Sequence, residues 1–429
     1  KIAAAKYGWS TFGIGANFLA VPKNSNLYFN THFSYSNYKI GLDEADGRTR
    51  QSSIGGFDIG MDFNYYIRQG DLKYGLDVQG NKTNFAFVNS FGQTVTQDQN
   101  TTDLSAYVTV HKFYKKFVAE GGFRFQYYGN LGAISPEPRL SMKYNATNWL
   151  RFKMASGLYS QNIISTVSNQ DVVDLFTGFL TGSNSTPANA PKDSLKSHNM
   201  QRGVDAIFGI EMDLPKNISI NIEPYYKYFW HLLDINQYKV YNTDPDFMNE
   251  KGDAYGLDFL FKWQYKGAFL YATYSLSWVH RNDGEQVYYP YYDRRHNVNV
   301  VAAYTFGKKH DWEASGRWNL GSGFPFTQTQ GFYEFNPFSN GIATNYTTTN
   351  GTLGVVYSST IDGGRLPLYH RLDLQIKKVF NLKKRMKVDI AASVSNVYNR
   401  DNIFYFDRIH YVRVNQLPVI PSLAASFSW

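Results

Sequence analysis

The stretch YYPYYDRRHN, residues 288–297, sets four tyrosines beside three basic side chains and one aspartate. Phenol rings at Tyr288, Tyr289, Tyr291 and Tyr292 can stack on sugar faces or on the aromatic groups of a metal chelator, and the Arg295 guanidinium can pair with an anionic chelate. These five are the candidate substrate-binding residues. Strand parity tempers the reading. If Val298, Val300, Ala302 and Tyr304 form the apolar face of the strand that follows, Arg294 and His296 share that face while Asp293 and Arg295 fall on the other. The stretch therefore reads first as a loop-to-strand junction, with Arg295 a candidate to face a polar interior.

Other chemistry is sparse. The segment NTDPDFMNEKGD, residues 242–253, gathers the hard oxygen donors Asp244, Asp246, Asn249, Glu250 and Asp253. It lacks the glycine at position six and the glutamate at position twelve of a calcium loop, so a solvated loop is expected. The nine histidines form no HExxH pair, and neither a Gly-x-Ser-x-Gly elbow nor a glycine-rich phosphate loop occurs. With no cysteine in the chain, thiolate metal sites and disulfides are excluded. Glu120, Arg124, Glu223, Arg317, Arg371 and Asp373 mix both signs of charge on what reads as one polar face, as a barrel interior would. No catalytic residue, metal site or cofactor is expected, and the chain does not read as an enzyme. A net charge of +8 invites nucleic acid, but the basic residues are scattered rather than clustered, so nucleic acid is not expected as a partner.

The elements that must position these residues are strands. Aromatic residues make up 17% of the chain and charged residues 18%, the mean hydropathy is −0.41, and no apolar run is long enough for a membrane-spanning helix. Segment after segment alternates with period two: Leu372, Leu374 and Ile376 against Arg371, Asp373 and Gln375; Val388, Ile390, Ala392 and Val394 against Asp389, Ser393 and Ser395; Trp312, Ala314, Trp318 and Leu320 against Glu313, Ser315, Arg317 and Asn319. One face is apolar and aromatic, the other wet. Short polar turns such as RQGD, YKK, YKG and NLKKR alternate with long loops, for example at 163–202, 232–253 and 321–367. Tight turns on one rim and long loops on the other are the layout of an all-β transmembrane antiparallel barrel, and the pattern yields about 17 strands. Aromatic clusters near strand ends, such as YYKYFW at 225–230, fit interfacial girdles. Residues 1–429 read as one barrel domain in the outer membrane, with the lipid bilayer as its surroundings. Bacterial barrels have even strand counts, so an odd count places the start of the first strand at the long-loop rim. It leads to the expectation of about five preceding strands in a 22-stranded barrel.

The chain closes on PSLAASFSW, where Leu423, Ala425, Phe427 and Trp429 share one parity and serines and Ala424 the other. Together with YYDRRHNVNVVAAY, WNLGSGFPFTQTQG, RLPLYHRLDLQIKKVF and SNVYNRDNIFYF, this ending resembles the C-terminal part of the TonB-dependent outer-membrane receptors. The resemblance implies a barrel with an N-terminal plug, energised through the TonB system, that imports a bulky scarce nutrient such as siderophore-bound iron, haem, cobalamin or an oligosaccharide. The plug and the TonB-contacting segment are not found in this sequence and are expected before Lys1. The terminal aromatic position implies that Phe427 and Trp429 serve as the insertion signal read by the barrel-assembly machinery. A surface lipoprotein or larger assembly is a further partner the resemblance allows. Two other readings compete: a passive outer-membrane channel or porin, and a soluble secreted all-β sugar-binding protein such as a propeller.

Overall fold

The computed structural model describes residues 6–43, 49–89, 93–168, 171–172, 176–182, 186–190, 199–236, 238–335, 352–382, 386–408 and 411–428. Its main sheet has 18 strands, one of them the two-residue stub Val287–Tyr288, which leaves seventeen long ones. In chain order these are β1 (Lys6–Ala20), β2 (Leu27–Asp43), β3 (Thr49–Ile67), β4 (Gly70–Val88), β5 (Thr94–Tyr114), β6 (Phe117–Tyr128), β7 (Ala133–Asn145), β8 (Leu150–Gln161), β9 (Gln201–Leu214), β10 (Ile218–Ile235), β11 (Phe247–Tyr265), β12 (Ala268–Asn282), β13 (His296–Phe306), β14 (Trp312–Gly321), β15 (Tyr369–Asn381), β16 (Lys387–Ser395) and β17 (Ile420–Ser428). Each pairs antiparallel with the next in the chain. Among the described residues β1 pairs only with β2, and β17 only with β16. Lys1 lies outside the described residues. Lys6 pairs with Asp43 at the long-loop rim, where an odd strand count places the start of β1.

The tight turns follow from local chemistry. Between β11 and β12, Lys266 and Gly267 both take positive φ, 46° and 84°, the hairpin geometry that glycine at the second position favours. Lys115 and Gln69 adopt left-handed conformations at two further short turns.

Across the sheet the register joins apolar side chains into continuous outward rows. One runs Phe33–Ile59–Val78–Leu104, and another Tyr144–Phe152–Ile210–Ile222–Phe259–Tyr274–Val298–Leu320. Aromatic pairs mark both edges of this belt: Tyr255 stacks on Trp278 towards the long-loop rim, and Phe306 on Trp312 beside the short turns, where the Lys378 ammonium lies 4.4 Å from the Trp312 ring. Amphipathic rings at both edges of an apolar band fit a bilayer's two interfaces.

Above the belt the two faces of β2–β5 exchange character. Their outward side becomes polar, with Lys39, Gln51, Ser53, Lys82, Asn84 and Asp98, while Ile40, Leu42, Phe85, Phe87 and Val95 turn inward and are buried. Length explains the change. At about 3.3 Å per residue and a tilt near 40°, the 19 residues of β3 climb about 48 Å, against an apolar belt about 25 Å tall. The wall projects into water, where burial must be sought inside. β6 and β8, with 12 residues each, barely rise above the belt.

Candidate functional site

Within the belt the inward rows are wet and charged. Arg151 is 2.9 Å from Glu211 and also pairs with Asp213; Lys153 is 2.9 Å from Glu211 and 3.6 Å from Glu223; Arg371 pairs with Asp373 at 2.6 Å. Arg124 donates to Ser105 at 2.6 Å. Of the charges singled out in the sequence, Arg124 and Glu223 thus meet partners on other strands, and Arg371 and Asp373 pair with each other along β15. A second group went unnoticed in the sequence: His32 on β2, Asp58 and Asp62 on β3 and Asp77 on β4 converge on one inward patch. No motif search finds these positions, because only the strand register brings them together.

Over the lumen, the tall walls β2–β5 and β10–β11 are tied across the mouth. The loop after β8 carries a small hairpin, Ile163–Thr166 against Gly178–Thr181. One arm packs Ile164 with Leu233, Ile235 and Phe247 and bonds Thr166 to Asp234 at 3.0 Å; the other packs Phe176 and Leu180 with Phe85, Phe87 and Val95. This strut is also held by hydrogen bonds. Thr83 and Thr181 are 3.3 Å apart through their hydroxyls, and Gln97 bonds both the carbonyl and the amide of Thr181. Asn89, atop β4, donates to the Lys239 carbonyl at 2.8 Å, joining the two walls directly. Arg50 makes a two-pronged, nearly buried ion pair with Asp171, whose carbonyl also accepts from Arg408 of the loop before β17. Arg408 in turn donates to Thr329 of the loop after β14. Loops from four places in the barrel therefore meet above the lumen.

The tyrosine-rich stretch lies at this rim and divides. Tyr288 is 6% exposed and donates to the Glu250 carboxylate, itself paired with Arg281, which also pairs with Asp234. Burial raises the Glu250 carboxyl to about 7, against the pull of Arg281. Tyr289 and Tyr292 stay exposed, and Tyr291 packs edge-on against Tyr292. Fully buried Asp293 accepts from the Val279 amide at 3.0 Å and pairs with Arg295 and Arg365, whose guanidiniums lie 5.2 and 5.3 Å from the Tyr289 ring. Arg295 also covers Trp278 at 4.8 Å, on the register of the outward row, whereas Arg294 covers Phe324 and abuts the inward position Gly321. The two arginines are thus placed opposite to strand parity. β13 begins only at His296, and alternation has no hold on the turn before it. The segment at 242–253 is a loop only in its first half, where Asp244 accepts from the amides of Val240 and Tyr241 and Asp246 pairs with Lys239; from Phe247 it joins β11, and Asn249 and Glu250 are buried there by packing rather than solvated.

At the chain's end, Leu423, Ala425 and Phe427 align outward with Ala392, Ile390 and Val388, and Ser422 meets Ser393 at 2.7 Å on the inner side. Trp429 lies outside the described residues.

No family model and no curated protein matches the sequence. Solved structures do match the fold. The FrpB iron transporter from Neisseria meningitidis (F5-1 variant) aligns with a TM-score of 0.64 at 12% identity, over 98% of this chain and 64% of its own. The ferric-catecholate import receptor Fiu from E. coli K12 aligns at 0.62 and 11%, over 98% and 64%. The ferric citrate transporter FecA aligns at 0.61 and 13%, over 98% and 62%. This chain spans somewhat under two thirds of the structures it matches, and over that span it has the transmembrane β-barrel fold of outer-membrane transporters.

Proposed function

We propose that the chain forms the barrel of an energised outer-membrane importer for a scarce, bulky nutrient, ferric chelates foremost, with haem, cobalamin and oligosaccharides behind them. The observation that carries the reading is the latched mouth. A passive channel needs a standing water path, whereas here a buried strut and ion pairs join opposite walls above a charged lumen. Such a mouth has to open for cargo, and coupling to the TonB system would supply the work. The chemistry is binding followed by gated passage, with no covalent step. The iron transporters among the similar structures support iron as the first cargo to test. Among the tyrosines, exposed Tyr292 is the better placed to touch cargo, while Tyr288 and Arg295 hold the rim together and Tyr289 packs on His280 on the outward side.

Radioiron accumulation by iron-starved cells tests this. Deleting the gene should reduce uptake of a supplied ferric chelate, and collapsing the proton gradient should abolish the difference. Uptake unaffected by the gradient would favour the passive channel.

A further inference from the structure

The patch on the β2–β4 wall has the makings of a metal site. His32 Nε2 lies 2.8 Å from Asp58 Oδ1 and 3.6 Å from Asp77 Oδ2. Metal bonds of about 2.1 Å at tetrahedral angles place neighbouring ligand atoms roughly 3.4 Å apart, between those two separations. The imidazole's other nitrogen, Nδ1, faces Asp62 Oδ2 at 3.8 Å, and the Tyr107 hydroxyl anchors Asp62 with a 2.6 Å hydrogen bond. At 3.8 Å Asp62 is beyond hydrogen-bond reach of the ring and adds negative charge behind it. Room for the ring depends on Gly60, where an added Cβ would fall 2.1 Å from His32 Cε1 and 3.0 Å from Asp77 Oδ2. Three carboxylates meet here against one guanidinium, Arg124, which pairs with Asp77 at 3.9 Å and leaves the patch net negative.

We propose that His32, Asp58 and Asp77 bind a divalent transition-metal ion on the lumen wall, with Asp62 adding negative charge behind the histidine. One imidazole and two carboxylates suit zinc, manganese or ferrous iron better than soft cuprous copper, and water would complete the shell. The site does not rest on the import reading, because a passive channel with this wall would carry it too.

Calorimetric titration of chelator-stripped native protein in detergent with zinc alone tests it. One zinc should bind at micromolar concentration or tighter, and His32→Gln and Asp58→Asn should each weaken binding at least about tenfold. Glu223→Gln, a lumen carboxylate outside the patch, should leave binding unchanged. Zinc should also protect His32 of the wild-type protein from carbethoxylation, read by peptide mass mapping, so a variant that fails to fold does not decide the matter. Wild-type affinity retained in His32→Gln, or equal modification of His32 with and without zinc, overturns the site.

Discussion

At the residue scale, buried charge decides where the rim is sensitive. Glu250 has a carboxyl raised to about 7 by burial, against 4.5 in the open chain, so its favourable protonated form is fully present below about 4.5 and lost as pH rises through about 7. Hydrogen exchange at Asn249–Lys251, corrected for intrinsic rates, should accelerate across that interval, and Glu250→Gln should remove the acceleration. Arg50 is a second such point. Replacing it with alanine leaves Asp171 buried without its guanidinium, a change that costs roughly 3–5 kcal/mol for comparable pairs. Limited proteolysis should then cut the loop between β8 and β9 at concentrations that leave wild type intact. In the sequence Glu250 stands out only as one donor of an acidic segment and Arg50 not at all, because burial of a charge is a property of packing. The reversed placement of Arg294 and Arg295 has the same origin, since parity binds only residues already in a ladder.

At the element scale, strand order and rim assignment were legible, because period-two alternation and turn chemistry are local. Leu374, Ile376, Val388 and Ile390 face outward as their spacing implies. The exchange of faces above the belt was not legible. In FAFV, residues 85–88, both parities are apolar, so only the height of the wall and the strut beneath it reveal that Phe85 and Phe87 point inward. Two substitutions separate the zones. Leu76→Arg, in the outward belt, should destabilise refolding into lipid by about 2–4 kcal/mol by urea titration. Lys82→Leu, on the polar outward wall, should leave that stability within about 0.5 kcal/mol.

At the scale of the whole molecule, a strut ties the two tall walls of a wet barrel together across its mouth, and the import reading requires that tie to open. The chain has no cysteine, so an introduced pair reports without interference. Thr83 on β4 and Thr181 on the strut are fully buried with hydroxyls 3.3 Å apart, so cysteines at these positions face each other across the tie. The most direct measurement is radioiron accumulation in iron-starved cells carrying Thr83→Cys with Thr181→Cys. Uptake should be abolished when the pair is oxidised and restored by a reductant that leaves the parent protein's uptake unchanged. Wild-type uptake by the fully oxidised double variant would contradict a mouth that must open for cargo to pass.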